Sequence, residues 1–280
     1  MTGSEWASAL FGLASAATWG AGDFCGGLAT RRANVYGVIL VGDFVGGLLL
    51  AGLALAFGEA LPPWNDLLLG ALAGLAGAVG LIALYRALAL GRMSVASPVA
   101  AVVSAALPAV FGTFVDGLPG LGRGIGFGLA LLGVWLVSSN EKARIAWGEL
   151  GLPLIAGLGF GVFFILIDGV SQSAVFWPLV GARLAAVAAL GAFGAVTRQV
   201  KWPRAEHLPL TALVGVLDAG GNTFFALAAR AGRLDVAAVL SSLYPATTVW
   251  LAWLILKERI GRWQIAGIIA VLTAIVLITF

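Results

Sequence analysis

The sequence predicts an all-α membrane protein with ten transmembrane helices in two inverted five-helix repeats. Three observations lead there. First, 61% of the 280 residues are hydrophobic and only 10% are charged, against about 25% charged in a typical soluble domain. So few charges cannot clothe a water-exposed surface, which excludes an ordinary soluble enzyme, a nucleic-acid binder and a disordered chain. Second, ten apolar stretches follow one another, each near the length of about 20 residues that a helix needs to cross a bilayer. Third, short motifs of the first half recur in order in the second.

The spans can be taken in order. Span 1, Trp6–Ala29, ends at the Arg31-Arg32 turn, and span 2, Tyr36–Phe57, at Pro62-Pro63-Trp64. Span 3, Leu67–Leu90, stops before Arg92, and span 4, Val95–Val115, at Asp116-Gly117. Span 5, Gly122–Ser138, precedes the polar run from Asn140 to Glu149. Span 6 is Leu150–Asp168, and span 7, Phe176–Val196, leads into the polar connector from Arg198 to His207. Span 8 is Leu208–Arg230, span 9 is Val236–Leu256, and span 10, Trp263–Phe280, follows the turn from Lys257 to Arg262. Trp6, Trp64, Trp147, Trp177, Trp202 and Trp263 sit at span ends or in connectors, where amphipathic rings settle. There is no apolar/polar alternation to suggest a β-barrel. The first span lacks a basic start and is too long for a cleaved leader.

The repeats divide the chain at residues 1–140 and 141–280. Trp19-Gly20 matches Phe160-Gly161, the segment Ala87–Ala96 matches Ala228–Ala237, and Gly122-Arg123 matches Gly261-Arg262. Five spans is an odd number, so the second unit enters the membrane from the opposite side. That inverted layout is associated with alternating access.

The stretch Gly232-Arg233-Leu234-Asp235-Val236-Ala237-Ala238-Val239-Leu240-Ser241-Ser242-Leu243-Tyr244-Pro245 is followed by Leu256-Lys257-Glu258-Arg259-Ile260 and by Gly267. This pattern resembles the ten-helix EamA-type branch of the drug/metabolite transporter (DMT) superfamily. The first half fits through Trp19-Gly20 and the run from Ala96 to Pro108, but has Asp116-Gly117-Leu118 where the second has Lys257-Glu258-Arg259. The resemblance implies secondary transport of a small metabolite, amino acid or drug, with export favoured and coupling to a proton or other gradient. It also lends support to Arg183, because such repeats often carry an arginine in their second span.

Ionisable groups deep in a span cost at least about 2.5–3.5 kcal/mol each on insertion scales. Five lie there: Asp23, Asp43, Arg86, Arg183 and Asp218. Gly22-Asp23-Phe24 recurs as Gly42-Asp43-Phe44 on either side of the first turn, which places both aspartates at one depth. Arg86 reaches a similar depth on span 3. These three are the expected proton- or cation-coupling group. Asp218 is expected to stand alone near mid-membrane, with Asn222 one helical turn away. Asp218, Asn222, Trp19, Tyr85, Tyr244 and Arg183 are the candidate substrate contacts. Pro98, Pro108 and Pro245 are expected to break spans 4 and 9, and breaks in equivalent spans point to gates.

No catalytic residue, metal site or cofactor is expected. The single Cys25 makes no zinc site, and no P-loop, zinc-protease or nucleophile-elbow motif occurs. The alternative is an intramembrane enzyme using an Asp23/Asp43 pair. The expected partners are a small-molecule substrate and the lipid bilayer, with no nucleic acid and no obligate protein partner, as a monomer or homodimer. The basic residues fall unevenly. Arg123, Arg230 and Arg233 share a side with the termini, while Arg31, Arg32, Arg92, Lys142, Arg144, Arg198, Lys201, Arg204, Lys257, Arg259 and Arg262 lie opposite. The positive-inside rule then places both termini outside a plasma or inner membrane.

Overall fold

The structure is a computed structural model that describes residues 3–89, 93–115, 117–138, 150–257 and 261–279. The described residues form eleven α-helices and one short 3-10 turn, with no strand among them. In order they are α1 (Gly3–Thr30), α2 (Val35–Ala56), α3 (Trp64–Ala89), α4 (Met93–Val115), α5 (Leu121–Ser138), α6 (Gly151–Ser171), α7 (Phe176–Thr197), α8 (Leu208–Ala231), α9 (Leu234–Ser241), α10 (Tyr244–Leu256) and α11 (Arg262–Thr279). Nine of the predicted spans are single helices, and the ninth is the pair α9–α10. The boundary expected at 140/141 lies outside the described residues.

Five single helices, α2, α3, α6, α7 and α8, are long and apolar enough to cross a bilayer, as is the segment Leu234–Ile255 that holds α9 and most of α10. Shorter apolar helices are found at Val99–Val115, Leu121–Leu136 and Arg262–Leu277. Their outward faces expose Leu48, Leu55, Leu72, Ile269 and Leu272, apolar surface that a bilayer covers. Trp64, at the start of α3, and Trp202, in the connector after α7, are exposed too, as interfacial rings are.

Hydrogen bonds between connectors sort the helix ends onto two sides. Arg123 donates to Glu5 at 2.7 Å, Arg233 to the Gly117 carbonyl at 2.8 Å, and Gln172 to the Arg230 carbonyl at 3.2 Å. Glu59 accepts 2.8 Å bonds from the backbone N–H groups of Val175, Phe176 and Trp177. A helix start leaves such donors without intrahelical partners, so this carboxylate caps α7 from the α2–α3 connector. At the opposite end Asn34 caps α2 through Gly37 N–H at 3.1 Å and also accepts from Lys201 N–H at 3.4 Å. Both sets join only connectors that ten crossings would place on one side.

The main packed pairs are α1 with α8, α3 with α6, α5 with α11, α4 with α6, α2 and α3 with α7, and α2 with α8. α1 also packs on α9 and α10. Small residues permit these contacts. At Gly46 a Cβ would lie 2.9 Å from the Gly215 carbonyl oxygen, so no other residue lets α2 approach α8 this closely.

The two proline-bearing spans differ from the expectation. α4 runs as one helix through positions 98 and 108; the side chain of Pro98 lies outside the described residues. Span 9 is interrupted, at Ser242 and Leu243, and Pro245 stands in the first turn of α10. A proline in a first turn needs no N–H partner, so Pro245 marks the start of a helix rather than a kink. Ser242 Oγ returns to the Val239 carbonyl at 2.8 Å and Ser241 Oγ reaches the Gly12 carbonyl at 3.4 Å.

Candidate functional site

Seven helices converge on one cavity. Its lining includes Trp19 and Asp23 of α1, Asp43 of α2, Gly74, Gly77, Ala78 and Leu81 of α3, and Phe160, Phe163 and Phe164 of α6. Ala182, Arg183 and Ala186 of α7, Asp218 and Asn222 of α8, and Tyr244 of α10 complete it. The space between them is about 690 Å³, counting the part open to its surroundings. Aromatic and small apolar groups dominate, with a few polar ones converging, as in a small-molecule site.

Arg183 organises the polar side. One guanidinium nitrogen donates to Asp43 Oδ1 and the other to Asp218 Oδ2. Asn222 Nδ2 adds a longer 3.5 Å bond to Asp218 Oδ2. Arg183 is 8% exposed and Asp43 is 4% exposed. Burying such charges is costly unless they are paired and hydrogen-bonded, and the planar fork of arginine can serve two carboxylates at once. Gly46 lies one turn beyond Asp43, and Gly215 one turn before Asp218. Their close approach brings the two carboxylates to one guanidinium.

The apolar side is an aromatic stack. Trp19 lies 5.4 Å from Phe164 and 6.0 Å from Phe225, and those two phenyl rings are 4.4 Å apart, all nearly parallel. Gly221 makes room for it, since a Cβ there would lie 2.6 Å from Trp19 Nε1. Ser15 Oγ ties α1 to the Gly221 carbonyl at 2.9 Å.

Seven of the sequence-predicted residues meet at this cavity: Trp19, Asp23, Asp43, Arg183, Asp218, Asn222 and Tyr244. Others do not. Arg86 is exposed and donates to the Tyr36 hydroxyl, with its guanidinium 5.5 Å from the Tyr36 ring centre. It is therefore not the arginine of the carboxylate group. Asp218 is not alone, because Arg183 from α7 reaches it. Tyr85 is buried with Tyr36, Ile39 and Leu84 and is not part of the lining, its hydroxyl lying against Gly26. Pro108 and Pro245 are buried outside the lining. Asp43 is engaged by Arg183 through Oδ1, and no hydrogen bond joins it to Asp23 among the described residues. The lining residues not anticipated are chiefly Phe160, Phe163 and Phe164. Phe160 was within reach, because it is the counterpart of Trp19 in the matched motifs.

Residues 146–280 match the EamA-like transporter family. No curated protein matches. A solved crystal structure, described as "Crystal structure of protein", is similar over 96% of this chain and 95% of its own, with a TM-score of 0.79 at 17% identity. At that identity the likeness concerns the fold. The matched family and the apolar helices agree on a multi-pass membrane protein, consistent with the DMT superfamily. The second half of the chain thus carries an EamA-like transporter family domain.

Proposed function

We infer that the protein is a secondary transporter that carries a small metabolite, amino acid or drug through this cavity by alternating access. Export driven by a proton or other gradient is the favoured direction. The observation that carries the reading is a cavity whose ion-paired carboxylates and aromatic walls come from both halves of the chain. Intramembrane ionisable groups facing an internal cavity mark transport pathways.

Two inverted five-helix repeats, 1–140 and 141–280, are part of this reading. Exchanging the halves turns α1 with α8 into α6 with α3, and α2 with α8 into α7 with α3. It turns α4 with α6 into α9–α10 with α1, and leaves α2 with α7 and α5 with α11 unchanged. Each of these pairs is packed, which supports the exchange. Asp43 and Arg183, 140 residues apart, are ion-paired across the α2–α7 contact. Rocking one unit against the other would work that pair directly. The interruption at Ser242–Leu243, beside the lining residue Tyr244, is the proposed gate, with α4 and its prolines as its continuous counterpart.

Both termini are placed outside a plasma or inner membrane by the basic-residue count, and the chain acts as a monomer or homodimer. The test is flux of amino acids, amines, nucleosides and drugs into liposomes, with and without a pH gradient. The reading expects saturable flux of at least one compound, which Asp218→Asn reduces. Unchanged flux, pH dependence and binding in Asp218→Asn would remove the role given to Asp218.

A further inference from the structure

The polar groups of the cavity do not balance. Asp23, Asp43 and Asp218 all line it, and among the described residues Arg183 is the one cation that does. Arg183 is already bound to Asp43 and Asp218. Asp23 makes no ion pair or hydrogen bond among the described residues. The titratable groups facing it from the packed helices are Asp218 of α8, Tyr85 of α3 and Tyr244 of α10, none of them cationic.

Tyr244 is an independent observation. It is 4% exposed, it lines the same cavity, and its hydroxyl has no hydrogen-bond partner among the described residues. Ser97 of α4 faces that hydroxyl outside hydrogen-bond geometry. Buried polar groups are rarely left unmatched, and an uncompensated carboxylate away from water is costlier still. A positive group inside the cavity answers both needs. The remaining walls suit it, because Trp19, Phe160, Phe163 and Phe164 bring aromatic rings to the lining, and such rings attract cations and cover apolar bodies. A ligand carboxylate, by contrast, finds its natural partner Arg183 doubly engaged and would face three like charges.

Resting on the transport reading, we propose that the substrate is an organic cation with an apolar body and no carboxylate, its ammonium seated between Asp23 and the Tyr244 hydroxyl. An ammonium has three donors, and a carboxylate and a hydroxyl oxygen both accept. Asp43 and Asp218 then have a different task, which is to hold Arg183 in place and keep the cavity's field negative.

Three probes share one phenylethyl body and differ in charge at neutral pH: 2-phenylethylamine is a cation, phenylalanine a zwitterion and 2-phenylethanol neutral. Calorimetry on the full chain in detergent should show binding of the amine, with the other two at least about ten-fold weaker. Asp23→Asn should weaken the amine by about ten-fold or more, Asp23→Glu should retain more affinity, and Tyr244→Phe should weaken it by less than Asp23→Asn. Thermal unfolding of each variant checks that the fold survives. Failure of the amine to bind the native chain, equal binding of the three probes, or unchanged affinity in a folded Asp23→Asn overturns the proposal. Liposome flux separates this from the wider reading. Saturable flux of phenylalanine or 2-phenylethanol without flux of the amine overturns the cation and leaves transport standing. Amine binding without saturable flux of any compound overturns transport and leaves the cation site standing.

Discussion

The wall formed by α2, α7 and α8 and the wall formed by α1 and α10 face one cavity, yet they are built on opposite terms. On the first wall every charge has a partner: Arg183 holds Asp43 and Asp218, and Asn222 supports Asp218. On the second, Asp23 and Tyr244 are unmatched among the described residues. The first wall spends its polar groups on its own cohesion. The second leaves them for something that enters. Charge alone therefore does not mark a binding residue inside a membrane. The distinction is whether the protein itself has already satisfied the group.

The largest expected effect comes from breaking the matched wall. Arg183→Met leaves the buried Asp43 and the half-buried Asp218 without their cation and should cost about 3–5 kcal/mol, the usual consequence of removing one partner of a buried pair. It is read as a lower thermal midpoint in detergent. Adding Asp43→Asn and Asp218→Asn to the same chain should recover much of that loss, because the penalty lies in the orphaned charges.

Next comes the support behind Trp19. A Cβ at position 221 would lie 2.6 Å from Trp19 Nε1, so Gly221→Ala overfills the contact and should cost about 1–3 kcal/mol. Displacement of the ring should also blue- or red-shift the indole fluorescence and impair flux. A variant with native stability and native flux would show that the ring has room to move.

Asp23→Asn should behave in the opposite way to Arg183→Met. It removes an unmatched carboxyl, so denaturation should show native or slightly raised stability while flux falls. Equal loss of stability in the two variants would erase the contrast between the walls. The smallest effect is expected at Arg86→Ala. That side chain is exposed and holds Tyr36 through a hydrogen bond and a cation–π contact, a contact worth about 0.5–1 kcal/mol at exposed sites. Flux and binding should be unchanged.

Much of the fold was legible in the sequence because each span is a self-contained signal, about 20 apolar residues closed by charges, prolines or tryptophans. Depth was legible as well, since it follows from counting residues in from a turn. That is why Asp23 and Asp43 were expected at one depth and Asp218 near mid-membrane. Azimuth around the helix was not legible. Counting placed Arg86 level with Asp23, but its side chain turns outward to Tyr36. Arg183 pairs with residues 140 and 35 positions away, and nothing local announces which helix faces which. Proline alone does not locate a break in a span. α4 continues through both of its prolines, whereas span 9 stops before Pro245, where Ser241 and Ser242 supply other bonds to nearby carbonyls.

Alternating access is the central claim, and Ala186 gives the most direct test of it. This residue of α7 is 3% exposed and lines the cavity. The chain has a single cysteine, Cys25, so Ala186→Cys in a Cys25→Ser background presents one thiol to a membrane-impermeant reagent. In sealed liposomes of uniform orientation, the account predicts that reagent added on either side labels position 186 while none crosses to the other compartment. Labelling from one side alone, or passage of the reagent through the protein, would contradict it.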